Sequence, residues 1–229
     1  MSKILKQKER GSLIVISGPS GCGKGTIIKD FLSKHDNVWL SISCTSRDMR
    51  PGDIADETYF FISREEFEEK IKNDEFLEYA VYNGNYYGTP KEHIEEKLTK
   101  GIDVILEIEV QGALKVKEIV PEAICIFIMP PSMKELRKRL VGRGTEDKEK
   151  VLNRFKTAYK EINEVTRYNY VVTNDSIEDA SKKIAAIIMS EKCRVDRIEE
   201  ISVENQEEII HEFLMDKDFD NTPFVLEEN

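Results

Sequence analysis

Four short apolar runs, each bounded by polar or turn-forming residues, dominate the pattern of the chain. Runs of this length that are rich in Val and Ile favour buried strands of a parallel sheet. Helical stretches separate them, including helices expected over about 24–32 and 177–197. The alternation predicts an α/β fold, in which a parallel sheet carries helices on both faces. The runs are SLIVIS at 12–17, DVILEI at 103–108, AICIFIM at 123–129 and YVVT at 170–173.

Two segments interrupt this alternation. Residues 43–97 are polar and rich in aromatic side chains, as expected of an inserted subdomain. Residues 132–164 follow the break at Pro130 and combine a helical pattern with several arginines. The last stretch, residues 198–229, is acidic with some hydrophobic residues and predicts no particular structure.

Composition narrows the class of protein. The 229 residues, 40% hydrophobic and 34% charged, suffice for one well-packed domain. The charged start of the chain resembles neither a signal peptide nor a membrane span, and the widely spaced cysteines and histidines favour neither disulfides nor a zinc site. A cytoplasmic protein with reduced thiols is expected. The formal charge of -10 argues against nucleic-acid binding.

A glycine-rich loop connects the first apolar run to the first predicted helix. It reads GPSGCGKGT and matches the pattern GxxxxGK in the strand-to-helix context that a phosphate-binding loop requires. Glycines let consecutive backbone N–H groups surround an anion, the helix N-terminus adds positive potential, and the lysine places a charge on the outer phosphates. The loop therefore predicts a site for nucleotide phosphates. Its residues are Gly18, Pro19, Ser20, Gly21, Cys22, Gly23, Lys24, Gly25 and Thr26.

The thiol of Cys22 lies within this loop. The positive potential of the loop favours its thiolate, so oxidation or alkylation of Cys22 would be expected to block nucleotide binding. The sequence favours the other explanation, in which Cys22 is a small residue that merely fits the turn.

Five sequence blocks, in order along about residues 11–190, give the chain a resemblance to guanylate kinases of the bacterial type. The resemblance implies an enzyme that uses ATP and Mg²⁺ to phosphorylate GMP, and dGMP as well, in purine nucleotide metabolism. It also implies a phosphate-loop core, a GMP-binding insertion at about 43–97, a helical lid at about 132–164 and an extension at 191–229. Besides the loop, the blocks are SCTSRDMRPG at 43–52, EFLEYAVYNGNYYGTP at 75–90, LEIEVQGA at 106–113 and LVGRGTE at 140–146.

The loop departs from the general pattern at Gly25. That pattern has Ser or Thr directly after the lysine as a magnesium ligand, whereas adenylate kinase and its relatives share the GKGT form found here. Direct coordination of the ion by the loop is therefore not expected, and ATP phosphates and water are expected to hold it for the most part.

The resemblance assigns the phosphate of GMP to the segment S-x-T-x-R-x-x-R. Ser43, Arg47 and Arg50 occupy the matching positions, and Tyr59 and Tyr87 match the two tyrosines of that site. Two guanidinium groups suit a dianionic phosphate, because each can donate paired hydrogen bonds.

Guanine selection is expected at Glu78, which matches the corresponding family position. The N1–H and N2–H₂ groups of guanine are neighbouring donors that suit a carboxylate, while O6 needs a donor such as the hydroxyl of Thr89 or Ser43. Adenine would instead place a lone pair against the carboxylate and leave a buried charge unpaired.

Glu107 and Glu109 lie at the end of a predicted core strand, where ligands collect in open α/β sheets. In the family, the first of these carboxylates lies near the metal and the second near GMP. A pair of carboxylates that simply faces solvent is the alternative.

Arg139, Arg143 and Arg154 match lid arginines of the family, and positions 139 and 143 share one helix face. With Lys24 and Mg²⁺ they are expected to stabilise the transferring phosphoryl group, while Arg47 and Arg50 hold the acceptor. Asn174 matches a loop near the adenine, although it suits a plain helix cap equally well.

Two other functions are compatible with such a fold. One is a guanylate-kinase-like binding module of scaffold proteins, but such modules typically lose the phosphate loop or the lid arginines. The other is a related kinase with a different phosphorylated acceptor, which Glu78 and the NYYGT sequence argue against. The expected partners are small molecules, with no nucleic acid and no membrane, and the sequence leaves open whether the chain forms a homo-oligomer.

Overall fold

The structure is a computed structural model that describes residues 5–7, 10–82, 84–141, 148–201 and 215. The chain divides into two compact units, one formed by Glu9–Lys192 and one by the two ends of the chain, Met1–Lys8 and Cys193–Asn229. The described strands are β1 (Leu5–Gln7), β2 (Leu13–Ser17), β3 (Val38–Leu40), β4 (Cys44–Thr45), β5 (Phe60–Phe61), β6 (Phe76–Tyr82), β7 (Asn85–Pro90), β8 (Asp103–Glu107), β9 (Ile124–Met129), β10 (Tyr170–Thr173) and β11 (Ile198–Ile201). The described α-helices are α1 (Lys24–Leu32), α2 (Arg64–Lys72), α3 (Lys91–Thr99), α4 (Val110–Ile119), α5 (Met133–Val141), α6 (Lys148–Asn163) and α7 (Ile177–Lys192).

The larger unit is built on a parallel five-stranded sheet in the order β10-β9-β2-β8-β3. β2 lies at its centre and is buried along its whole length. Ile14 and Ile16 pack with α1 and α7 on one face, whereas Leu13 and Val15 pack with α3 and α4 on the other. This two-faced core confirms the predicted α/β fold. The edge strand β3 was not predicted, because three residues with only partial burial give a weak apolar signal.

A second, mixed sheet in the order β5-β4-β7-β6 lies within the predicted insertion. β6 and β7 form an antiparallel pair, and β4 joins β7 antiparallel and β5 parallel. The sheet has a small aromatic core, in which the ring of Phe67 on α2 stacks against Phe76 at 4.4 Å and Tyr86 at 5.0 Å between ring centres. This separate core lets the insertion hold its own shape beside the main sheet.

The arginine-rich segment after Pro131 folds into α5 and α6, as its helical pattern predicted. The two helices meet through Leu136, Leu140 and Ala158, all of them fully buried. Residues 142–147, which include the predicted lid residue Arg143, lie outside the described residues.

The last core helix is shorter than expected. The sequence predicted a helix to residue 197, but α7 ends at Lys192, after its buried positions Ile184 and Ile188. Beyond it, the guanidinium of Arg194 bonds twice to Asp196 within a short 3₁₀ turn. In the smaller unit, β11 then pairs with β1 as an antiparallel ribbon.

None of the helices that the structure describes combines the length and the apolar composition needed to span a lipid bilayer. The hydrophobic sequence IIHEFL at 209–214 lies outside the described residues.

Candidate active site

The carboxyl ends of the parallel strands bring many of the predicted site residues to one edge of the main sheet. β2 runs into the glycine-rich loop, β8 ends at Glu107, and β10 ends one residue before Asn174. Ligands of open α/β sheets bind at this edge, because the loops that follow the strands converge there.

The backbone of the loop explains its glycines. Gly18, Gly21 and Gly23 have φ angles of 145°, 87° and 93°, a region that side chains disfavour. A Cβ on Gly18 would lie 2.3 Å from the carbonyl oxygen of Ile128, and one on Gly23 would lie 2.5 Å from Nδ2 of Asn174. Since no side chain caps the start of α1, its first N–H groups remain available to an anion.

The side chain of Lys24 folds back over the loop. Its ammonium donates a hydrogen bond of 2.6 Å to the carbonyl oxygen of Gly18, which places the charge beside the first residues of the loop. Burial disfavours the ammonium, but Cys22 and three nearby carboxylates outweigh burial and raise the pKa of Lys24. The lysine is therefore a permanent cation at the predicted phosphate site.

The structure supports a small side chain that fits the turn at Cys22 over a reactive thiolate. The side chain is completely buried in the hydrophobic core beneath the loop. Burial raises the pKa of the thiol and outweighs the opposing effect of Lys24. Cys22 contributes through its backbone, since its carbonyl oxygen accepts a hydrogen bond of 2.7 Å from Nδ2 of Asn174.

Asn174 supports the loop from below. Its side chain is buried, and its backbone N–H donates to the carbonyl oxygen of Met129 at 2.8 Å. Arg139 on α5 joins this arrangement by donating to the carbonyl oxygens of Cys22 at 3.3 Å and of Asn174 at 3.4 Å. A contact of Asn174 with adenine stays a prediction.

Arg154 reaches the same loop from α6. Its Nη2 donates a hydrogen bond of 2.6 Å to Oγ of Ser20. Two predicted lid arginines, Arg139 and Arg154, thus contact the phosphate loop, whereas the third, Arg143, lies outside the described residues.

A cavity of about 900 Å³ opens beside the loop. It brings together residues of the core, the mixed sheet and α6, which lie far apart in the sequence. The predicted site residues that line it are Lys24, Ser43, Arg47, Arg50, Tyr59, Glu78, Tyr87, Glu107 and Glu109.

Arg47 is held firmly at one end of this cavity. It is only 8% exposed, and its Nη1 donates to Oδ2 of Asp53 at 2.8 Å. Its guanidinium lies 5.3 Å from the ring centre of Tyr59 and 5.4 Å from that of Phe61. These contacts fix the direction of the guanidinium before any anion binds.

Asp53 connects both predicted phosphate-binding arginines. The same Oδ2 that accepts from Arg47 also accepts the backbone N–H of Arg50 at 2.7 Å. The bond from Arg47, followed by that from Arg50, lowers the pKa of Asp53. The sequence analysis missed this residue, although an aspartate three positions after an arginine in a Pro-Gly turn is a signal for such a bond.

Glu78 lies on β6 directly opposite Thr89 on β7. Its Oε1 accepts a hydrogen bond of 2.8 Å from the hydroxyl of Thr89. The carboxylate is 7% exposed, and burial raises its pKa against the opposing effects of Thr89 and Lys115. A Cβ on Gly112 of α4 would lie 2.7 Å from Oε2 of Glu78, so this glycine makes room for the carboxylate.

Glu107 lies next to the start of α1. A Cβ on Gly25 would be 3.6 Å from its Oε2. The carboxylate is open to the cavity but surrounded by protein, and this enclosure raises the pKa of Glu107 despite the nearby charge of Lys24. Across the part of the chain that the structure describes, no group of three or more His, Cys, Asp or Glu side chains is placed to hold a metal ion.

Several residues of α6 and the 3₁₀ turn after it line the same cavity and were not predicted. Those on α6 share one polar face, but such a face does not by itself distinguish a cavity lining from a solvated surface. The carboxyl of Glu161 is the most unusual, because its Oε2 is buried and has no hydrogen-bond partner among the described residues. Burial, followed by the charge of Glu109, raises the pKa of Glu161 to about 7. The residues are Thr157, Lys160, Glu161, Glu164 and Arg167.

Comparison with known proteins shows the family to which this chain belongs. The profile of the guanylate kinase family matches residues 10–191. The guanylate kinase of Clostridium tetani is 58% identical over 208 residues, which cover 91% of this chain and 100% of that protein. That of Clostridioides difficile is 49% identical over 200 residues, or 87% of this chain and 98% of the relative. The crystal structure of guanylate kinase from Anaplasma phagocytophilum superposes with a TM-score of 0.71 at 32% identity, covering 93% of this chain and 98% of that one. The chain therefore belongs to the guanylate kinase family.

Proposed function

We propose that this chain transfers the γ-phosphoryl group of ATP to GMP, and also to dGMP, and releases ADP and GDP. One observation carries the proposal: Lys24 of the phosphate loop and Glu78, with its guanine-compatible environment, line the same cavity. Donor and acceptor can therefore meet in one enclosed space. The four cysteines are free thiols, which suits the reducing cytoplasm, where the enzyme would recycle GMP.

The acceptor would bind through both of its ends. The Arg47 and Arg50 guanidinium groups, with the hydroxyls of the two site tyrosines, suit its phosphate. Glu78 suits the N1–H and N2–H₂ donors of guanine. Between the two donors considered for O6, Ser43 is better placed, because it lines the cavity while the hydroxyl of Thr89 already donates to Glu78.

The donor would lie along the phosphate loop. The backbone N–H groups at the start of α1 and the ammonium of Lys24 suit its phosphates, and Arg139 and Arg154 suit the charge on the transferring group. The acceptor phosphate is already anionic near neutral pH, so the protein needs no strong base and acts by positioning and charge neutralisation.

Magnesium fits this arrangement. Mg²⁺ prefers oxygen ligands and binds through one or two carboxylates plus substrate phosphates and water. Glu107, which lies beside Gly25, and Glu109 can provide the carboxylates. When bound, the ion would neutralise charge on the phosphate oxygens. In this proposal the protein holds and orients the ion through the carboxylate of Glu107.

A coupled assay of ADP formation tests the proposal. Purified protein with ATP and Mg²⁺ is supplied in turn with GMP, dGMP, AMP, UMP or no acceptor. Turnover is expected with GMP and dGMP only, because AMP places a lone pair against Glu78. Equal use of AMP, or the absence of GDP from GMP, would contradict the proposal.

A further inference from the structure

Asp53 holds the backbone of Arg50 at two points. Its Oδ2 accepts the N–H of Arg50 at 2.7 Å, and its own N–H donates to the carbonyl oxygen of Arg50 at 3.0 Å. The second bond closes a four-residue turn in which Pro51 is followed by Gly52 at a φ of 95°, the residues that a type II turn favours. Asp53 therefore fixes the backbone from which the guanidinium of Arg50 extends.

The same carboxylate oxygen fixes the guanidinium of Arg47. Nη1 of Arg47 donates to Oδ2 of Asp53 at 2.8 Å and to the carbonyl oxygen of Asp48 at 2.6 Å. The side chains of Arg47 and Asp53 are only 8% and 13% exposed, so the bond between them is shielded from water. Because a guanidinium carries its five N–H donors in one rigid plane, fixing Nη1 sets the direction of the others.

One oxygen atom thus sets the relative position of two arginines that line the cavity. Donors that already point toward a phosphate bind it more tightly, because less side-chain entropy is lost on binding. The carboxylate of Asp53 repels a phosphate, but the guanidinium bonded to it carries the opposite charge, so the pair presents no net charge. The effect of Asp53 on a phosphate is therefore mainly positional.

We infer that Asp53 is a positioning residue of the acceptor site, which aligns Arg47 and Arg50 on the phosphate of GMP. The inference rests on the proposed function, in which GMP binds in this cavity. Asp53, unlike the two arginines, is not one of the described residues that line the cavity, so it acts through them. Its loss should weaken the hold on the phosphate and leave the guanine contacts of Glu78 unchanged.

The test is titration calorimetry of GMP and of guanosine, which lacks the phosphate, with the wild-type protein, Asp53→Ala and Asp53→Asn. Asp53→Ala removes the acceptor of both bonds and should weaken GMP binding about tenfold, the size of one hydrogen bond to a charged group. Asp53→Asn keeps an oxygen that can accept both N–H groups, so it should weaken GMP binding less. Guanosine should bind all three proteins equally well.

Asp56→Asn is the matched control, because it removes an exposed carboxylate from the same loop. Asparagine tolerates the φ of 63° found at this position. GMP affinity should stay the same, and thermal melting shows whether each variant is folded. Folded Asp53 variants that bind GMP as tightly as the wild type, or more tightly, would overturn the inference. Equal losses of GMP and guanosine affinity would also overturn it, because Asp53 would then only hold the insertion together.

The titrations need no turnover, which separates this inference from the proposed function. If the wild type binds GMP but makes no GDP from it, the proposed function fails, while the variants still test Asp53. If the wild type forms GDP and the Asp53 variants bind GMP as it does, only the inference fails. If the wild type binds no GMP, both are wrong.

Discussion

At the scale of single residues, Arg47 shows how a functional side chain is prepared for its ligand. Its guanidinium is buried, bonded to Asp53 and stacked beside two aromatic rings. Removing it takes away paired hydrogen bonds to the acceptor phosphate and leaves Asp53 without its counter-ion. The loss should therefore fall on the acceptor and not on ATP.

We expect Arg47→Ala to raise KM for GMP about 100-fold, corresponding to two hydrogen bonds to a charged group, with KM for ATP little changed. Lys24→Ala should abolish turnover, because the phosphate loop loses its cation. Arg64→Ala is the control, since this arginine of the same insertion is exposed and pairs with Glu68. Steady-state kinetics with each substrate varied in turn will separate the effects, and equal increases in both KM values would disprove the assignment of Arg47.

The raised pKa of Glu161 leads to a prediction about stability. Its pKa is raised from 4.5 to about 7 in the folded protein, mainly by burial. The folded protein thus holds this proton more tightly than the unfolded chain, and the stabilisation is complete below about pH 4.5 and is lost as the pH rises through about 7. Glu161→Gln, which stays neutral, should raise Tm by a few degrees over the wild type at pH 8 and by much less at pH 5. Melting curves at both values test this, and a difference that is the same at both would contradict it.

Single residues also show what sequence reasoning could reach. The loop glycines and Lys24 were predictable because backbone geometry and charge demand them at fixed spacing. Asp53 and Glu161 were missed, since each is one carboxylate among many until folding places Asp53 beside two donors and buries Glu161. At Cys22 the sequence favoured a small residue that fits the turn, but it could not show that the side chain turns into the core.

At the scale of elements, α4 illustrates how a glycine in a helix makes room for a side chain of the binding site. Gly112 lies within α4, and a Cβ there would come 2.7 Å from Oε2 of Glu78. Alanine is a better helix former than glycine by about 1 kcal/mol, so the helix itself would gain from the change. The carboxylate would have to move, which would disturb the hydrogen bond that it accepts from Thr89.

Gly112→Ala should therefore leave the fold intact while raising KM for GMP about tenfold, through loss of the aligned carboxylate. KM for ATP should be unchanged. Gly101→Ala, at a positive φ of 75° after α3, is a useful contrast, because it should lower Tm without affecting GMP. An unchanged KM for GMP in Gly112→Ala would show that Glu78 does not need its present position.

The elements themselves were predictable to differing degrees. Four strands of the parallel sheet follow from apolar β-branched runs, which favour buried strands. The end of α7 was placed five residues too late: the helix stops at Lys192 and is followed by the local bonds of Arg194 to Asp196 and by β11. Contacts of that kind come from folding and leave no periodic signal.

At the scale of the whole molecule, the active site depends on three separate stretches of chain. The core provides the loop and the carboxylates of β8, the insertion provides the guanine and phosphate contacts, and α6 closes the cavity. The sequence predicted the first two through recognisable blocks. Of α6, the sequence predicted Arg154, which contacts the loop. The cavity-lining residues of this helix could not be predicted in the same way, because their face is recognisable only once its position beside the cavity is known.

The larger unit should function by itself. Every described residue that lines the cavity or contacts the loop lies within residues 9–192, and the family match ends at 191. Such a fragment keeps the buried face of α7 and the 2.6 Å ion pair between Lys192 and Asp103. We expect kcat and both KM values within about twofold of the full chain, because no proposed catalytic contact is removed. A fragment that ends at residue 176 lacks α7, exposes the core at Ile14 and Ile16, and should fail to fold. A 9–192 fragment that folds, as judged by its melting curve, but has lost most of its activity would mean that the ends of the chain take part in catalysis.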